Sequence, residues 1–308
     1  MKYLKKRKVS SQPHYLESEE QTETKLSKPR KESSLSSSHK GHNFRKSSLE
    51  VPEFTLETTA FMDECVQILK DEIISEEYEN ALNTVESNMN ELIFDFKELE
   101  RNKDDETEDD YKTKCKEIKT AIRLLTFYKL ALNVLVKVNL FENSEDPHDR
   151  EMSASYANIL VLPPVKEDVK KLFFNIAISQ NLKWKNYKVA LKVIKAYHKQ
   201  IQDSTTEELE ELQKIQELCD SNMSEGKQHF ESASCPIWDA NLPFGHASPS
   251  CPECEVKIIF CNDTLVPLTP ENSLKCHICF ATYDKSHPSL FIPDDPSLCP
   301  NCRSGEMT

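Results

Sequence analysis

Cys276-His277-Ile278-Cys279 and Cys299-Pro300-Asn301-Cys302, with nineteen residues between them, are the stretch on which the reading of this chain turns. Two thiolates three residues apart sit on one tight turn and grip a single tetrahedral ion, and two such turns at this separation have zinc-ribbon spacing. Cys276, Cys279, Cys299 and Cys302 are therefore expected to share one zinc. Working outward, Cys235, Cys251, Cys254 and Cys261 make a second set of four, in which Cys251 and Cys254 form a complete C-x-x-C pair. The first pair of that set is incomplete, because Trp238 stands where the partner of Cys235 would be, and Cys261 is the candidate for the vacant position. A competing arrangement joins Cys251 and Cys254 to Cys276 and Cys279 across twenty-one residues, leaving Cys235, Cys261, Cys299 and Cys302 for the other ion. The spacing leaves both arrangements open.

A disulfide framework would need an oxidising compartment. The N-terminus, MKYLKKRKVSS, is basic and carries no apolar core of a signal peptide. The expected ions are two structural zincs, since four thiolates close the shell that a catalytic zinc keeps open for water. His246, His277 and His287 lie nearby and read as surface residues, with His277, inside its turn, the one placed nearest a metal. A RING arrangement fails on spacing, because Cys276-His277 lacks the further alternating ligand pairs.

Eight of the eleven cysteines fall in this last quarter of the 308 residues, and the rest of the chain has a different character. Only four glycines occur, Gly41, Gly226, Gly245 and Gly305, and no two are close. Rossmann loops, P-loops and the loop that cradles an acyl-CoA pyrophosphate all need clustered glycines, so none is encoded in recognisable form. The net charge of −13 is unevenly spread: residues 1–50 carry twelve Lys+Arg against six Glu, or +6, which leaves −19 on residues 51–308. So acidic a body has no general field for a nucleic-acid backbone. Any contact with DNA would be indirect or through a local patch, and no small-molecule substrate is implied.

Residues 1–52 are expected to be a disordered basic tail, rich in Ser, Lys and Glu, with Lys5-Lys6-Arg7-Lys8 as a nuclear-localisation type of cluster. Residues 53–225 read as a helical domain. Met62, Val66, Leu69 and Ile73 share one face, and Leu82, Val85, Met89, Leu92, Phe96 and Leu99 continue at helical steps. The acidic run from Asp104 to Asp110 is expected to be a solvated loop. A second long helix is expected over Tyr111 to Phe141, apolar nearly all round and so buried between others. Arg123, Lys129, Asn133 and Lys137 interrupt it, which argues against a membrane span. Pro147 and Pro163-Pro164 read as loop punctuation. Two further helices follow, the second carrying His198 on its apolar face, where it reads as a core histidine rather than a ligand, and Ser204 to Glu207 has the form of a capping box opening a last helix. Cys65, Cys115 and Cys219 read as small apolar helix residues. The fold class is mainly α: an α-solenoid-like helical array, then a small zinc-ribbon module over residues 232–308.

The segment Cys235 to Tyr283, CPIWDANLPFGHASPSCPECEVKIIFCNDTLVPLTPENSLKCHICFATY, resembles the zinc-finger domain at the C-terminus of a transcription factor IIIC subunit. The features matched, in order, are the first knuckle, the Leu242-Pro243-Phe244 step, the Cys251/Cys254 knuckle, Cys261 with the turn Thr264 to Pro267, and Cys276 with Cys279. Two departures stand: Trp238 replaces a family cysteine, and the upstream β-propeller of the family has no counterpart in strand repeats here. The resemblance implies a non-catalytic scaffold or interaction subunit of an RNA polymerase III transcription complex in the nucleus, with other subunits as partners. Histone acetyltransferase activity is attributed to a member of that family, but no residue here supports it. The segment from Leu172 through Asn222 more faintly resembles the end of the coatomer alpha subunit. That resemblance implies the alternative of a cytoplasmic vesicle-coat or intraflagellar-transport subunit.

Overall fold

A left-handed glutamate and a left-handed lysine turn the chain at two places. Glu76 (φ 60°) and Lys185 (φ 58°) each end a helix without glycine. At the first, the amide of Glu76 bonds the carbonyl of Ile73 and that of Glu77 the carbonyl of Glu72. At the second, Lys185 bonds Leu182 and Asn186 bonds Asn181 in the same 5→2 and 6→1 pattern, the Schellman cap. Each cap is followed at once by Tyr-x-x-Ala-Leu, as Tyr78-Ala81-Leu82 and Tyr187-Ala190-Leu191. Both alanines are fully buried, and a methyl group there lets the two helices of each hairpin approach closely. The chain thus uses one helical hairpin design twice.

The structure, a computed structural model, describes residues 56–103, 107–224, 251, 253–286 and 298–305. The tail 1–52 with its basic cluster, Cys235, Trp238, His246 and His287 lie outside the described residues. Seven helices run in sequence among the described residues: α1 (Leu56–Ile74), α2 (Tyr78–Arg101), α3 (Glu108–Glu142), α4 (Pro147–Ala157), α5 (Glu167–Lys183), α6 (Tyr187–Gln200) and α7 (Thr206–Ser221). Each packs on the next, the sequential stacking of an α-solenoid-like array. The start of α5 is also tied to α1 by two ion pairs, Lys166 just before it with Asp63 and Asp168 in its first turn with Lys70.

Four details differ from the sequence expectation. The helix α3 begins at Glu108, not Tyr111: Thr107 caps it by accepting from the amide of Asp110 at 3.3 Å, and the acidic residues 108–110 form its first turn, where the helix dipole favours them. Pro147 opens α4 rather than a loop, with Asp146 accepting from the amide of His148 at 2.8 Å. The capping box of α7 is shifted by one residue, to Thr205 and Glu208. His198 is exposed, its ring edge-on to the buried Tyr197 at 6.0 Å, so it is not a core histidine.

Helix α3 is the centre of the array. It is long and apolar enough, by length and composition, to cross a bilayer, a test that core helices also pass. Here Ile122, Leu125, Tyr128, Leu132 and Leu135 are buried among its neighbours. The Tyr128 hydroxyl accepts from the amide of Lys166 at 3.2 Å, and burial drives its pKa far upward. Cys65 and Cys219 are buried and Cys115 half-buried. Burial lifts the Cys65 thiol to about 11, the state of an inert apolar cysteine.

The cysteine-rich end adds two small hairpins, β1 (Ile259–Phe260) with β2 (Pro267–Leu268) and β3 (Ser273–Lys275) with β4 (Thr282–Asp284), both antiparallel. The described residues all belong to one compact unit, Ser48–Thr308, and their buried core runs from the helices into this module without a break.

Candidate metal centre

The tip of each hairpin is a cysteine turn, and its geometry recurs four times. In each, the carbonyl of the first cysteine accepts from an amide four residues on: Cys251 from Glu255 (2.9 Å), Cys261 from Leu265 (3.0 Å), Cys276 from Phe280 (3.0 Å) and Cys299 from Arg303 (2.7 Å). All four of those donors are left-handed, at φ 57°, 60°, 62° and 48°. A side chain in that region carries a cost of about 1–2 kcal/mol. The turn tolerates it because the reversal brings the side chains at its first and fourth positions onto one side. In three turns those positions are both cysteine; in the second they are Cys261 and Thr264. Cys261 is therefore not an isolated residue but the first member of a turn whose second member is a threonine.

Two of the turns meet. The sulfurs of Cys276, Cys279, Cys299 and Cys302, all buried, lie within 4.8 Å of one another. Cys276 Sγ is 3.6 Å from Cys302 Sγ, and Cys279 Sγ is 3.6 Å from Cys299 Sγ. Four sulfurs about 2.3 Å from a common ion in a tetrahedron are about 3.8 Å apart, so the donor set fits a tetrahedral metal ion. The amides of Ile278 and Cys279 each point at Cys276 Sγ at 3.4 Å, the orientation that stabilises a bound thiolate. This brings together the quartet expected from spacing and not the arrangement joining Cys251 and Cys254 to Cys276 and Cys279. Cys251, Cys254 and Cys261 stand on the neighbouring turns and are not part of the quartet. His277 is exposed and is not part of it either.

The quartet rests on the helical array. The side-chain amide of Asn301, between Cys299 and Cys302, shares its two hydrogens among Cys279 Sγ at 3.5 Å, Thr126 Oγ1 of α3 at 3.3 Å and Met89 Sδ of α2 at 3.6 Å. Thr126 in turn donates to the carbonyl of Ile122 at 3.0 Å. A second link lies beside it, where the Arg123 guanidinium stacks over the Phe280 ring at 4.9 Å. Further along α3, Asn133 donates to the carbonyl of Asn262 at 3.3 Å and Lys137 to that of Thr264 at 3.4 Å. Arg123, Thr126, Asn133 and Lys137 follow helical steps and form one stripe, the seam for the module, whereas Lys129, which also interrupts the apolar helix, pairs with Glu86 of α2.

Lys275 stands over the Phe280 ring at 4.9 Å, and its pKa is lowered, by desolvation first and then by Arg123 and Lys257. The buried Tyr283 hydroxyl is pushed far above its usual range by desolvation and by the Cys299 and Cys279 sulfurs. Gly305 completes the site. Its carbonyl accepts from the amide of Cys299 at 2.8 Å, and a Cβ there would lie 2.3 Å from Cys276 Sγ. Asn301, Thr126 and Gly305 carried no signal in the cysteine spacing. No protein-family model matches the chain, and a search of curated proteins finds no relative.

Proposed function

We propose that this chain is a non-catalytic interaction subunit in which a structural zinc at Cys276, Cys279, Cys299 and Cys302 fixes a ribbon module to a helical array. The observation that carries this reading is the closed set of four sulfurs hydrogen-bonded through Asn301 to α2 and α3. Four sulfur donors select zinc among the common divalent ions, and leave no position on the metal for a substrate or a water. A second zinc is proposed at Cys235, Cys251, Cys254 and Cys261, supported by the metal-type turns at Cys251 and Cys261.

The complex we propose is the RNA polymerase III factor of transcription factor IIIC type, in the nucleus. Its support is the order of knuckles, the Leu242-Pro243-Phe244 step and the Cys261 to Pro267 turn. The sequential helical array is equally at home in a vesicle-coat or intraflagellar-transport subunit, which is the alternative. Affinity purification of the tagged full chain with mass spectrometry separates the two. Recovery of RNA polymerase III factors from nuclei supports the first reading. Recovery of coat or ciliary subunits instead rejects it.

A further inference from the structure

Helix α5 is flanked by two open grooves. The first, about 500 Å³, lies against α3 and the α1–α2 turn, over Leu135, Val138, Leu172 and Ile176. The second, about 340 Å³, lies against α7, over Ile178, Leu182, Leu212 and Ile215. Asn175 and Ser179, exposed and one helical turn apart on α5, border both. The walls are tied across the grooves by polar links: Glu142 of α3 to Lys183 and Gln180 of α5, and Lys171 of α5 to Glu208 of α7. Between the walls Leu172, Ile176, Leu182 and Ile215 are half-buried, and Leu135, Val138, Ile178 and Leu212 are buried. Beside the first groove, Ile74 is 59% exposed.

The charged side chains lining the grooves are Glu76 and Glu142 in the first and Glu208 and Glu211 in the second, of which Glu142 and Glu208 are ion-paired with Lys183 and Lys171. Glu142 and Glu208 are held ionised by hydrogen bonds, from Lys183 and Gln180 against the effect of burial in one case, and from the Thr205 amide and Lys171 in the other. Glu76 and Glu211 are exposed, with no cation paired to them among the described residues. A trough of mixed polar and apolar lining whose unpaired charges, Glu76 and Glu211, are both acidic, on a body of net charge −19, selects a basic occupant. A trough bordered by helices suits an occupant that is itself a helix, reading i, i+3, i+4 and i+7 anchors.

We propose that these grooves are the docking site for a basic, amphipathic helical segment of a partner protein. The proposal rests on the chain being an interaction subunit, but not on which complex it joins. The test is selection of a displayed random-peptide library on the purified full chain. Ser179→Trp, which places an indole in the grooves from an exposed position, serves for counter-selection, and Asn175→Trp is a second block should the first disturb the circular dichroism. Enriched peptides should be net basic with apolar residues three and four apart. They should lose at least tenfold in affinity on either tryptophan variant, and a comparable amount on Glu76→Lys with Glu211→Lys. Acidic or patternless peptides, or binding indifferent to these substitutions, would overturn the proposal. So would a dimer of the wild type that Ser179→Trp dissociates, which would assign the grooves to a second copy. A synthetic peptide of residues 2–12 that outcompetes every selected sequence would likewise assign them to the chain's own N-terminus. The selection uses no other subunit, so its outcome and that of the affinity purification are independent.

Discussion

Gly305→Ala should disable the quartet although residue 305 donates no ligand. The added Cβ would lie 2.3 Å from Cys276 Sγ and 3.3 Å from Cβ and Cγ1 of Ile278. Non-bonded heavy atoms need about 3.5 Å, so a gap of more than 1 Å must open. Cys276 Sγ cannot supply it, because a metal–sulfur bond tolerates only about 0.2 Å. Moving residue 305 instead breaks the 2.8 Å bond from the Cys299 amide to its carbonyl, which holds the second turn closed. Overpacking of this kind, or the lost hydrogen bond with it, costs roughly 2 kcal/mol. Zinc affinity should therefore fall by roughly 30-fold. Competition with a chromophoric chelator on the purified full chain reads it, with Ser304→Ala as the neighbouring control. Wild-type affinity in Gly305→Ala would refute the placement of this glycine against the metal site.

Asn301→Ala should lower stability to denaturant by about 1 kcal/mol, and Asn301→Asp by more, because it sets an acceptor against the Cys279 thiolate; equal effects would dismiss the hydrogen bond to sulfur. In a chelator titration of the full chain the proposed zinc at Cys235, Cys251, Cys254 and Cys261 should leave first. The reason is that Thr264 and Trp238 offer no thiolate at the positions where the other turns have one. Cys279→Ser should then do more damage than Cys235→Ser, and simultaneous release of both ions would contradict this order. Burial lowers the pKa of Lys170 to about 8. The unfolded chain therefore binds more protons than the folded one between about pH 8 and 10.4, and the destabilisation is full below that window and relieved as pH rises through it. The stability difference between wild type and Lys170→Met should move in favour of wild type from pH 7 to 10, and a constant difference would reject the assignment.

The parts of this molecule written as periodicity or ligand spacing were legible in its sequence. The buried length of α3 followed from its all-round apolar pattern, and the quartet from two C-x-x-C pairs nineteen residues apart. What escaped were features set by backbone geometry. Pro147 reads equally as a loop breaker or a first helical residue, and only the capping Asp146 decides between them. Glu76 and Lys185 close hairpins with residues that carry no turn signal, so the repeated Tyr-x-x-Ala-Leu stood unremarked. Arg123, Asn133 and Lys137 were visible as interruptions of a helix, but what they meet lies more than a hundred residues away in the chain. Thr264 was hidden because the turn it completes is defined by hydrogen bonds and a left-handed Leu265, not by a second cysteine.

The central claim is that a metal held by four sulfurs braces the helices as well as the ribbon. It is tested by measuring bound zinc and the thermal unfolding of the helices, by circular dichroism, in the full chain and in Cys279→Ser. The account predicts one zinc fewer per chain in the variant and a lower melting temperature for the helices, because Asn301 then loses its anchor beneath α2 and α3. An unchanged zinc content, or helices that melt as in the wild type despite the lost ion, would contradict it.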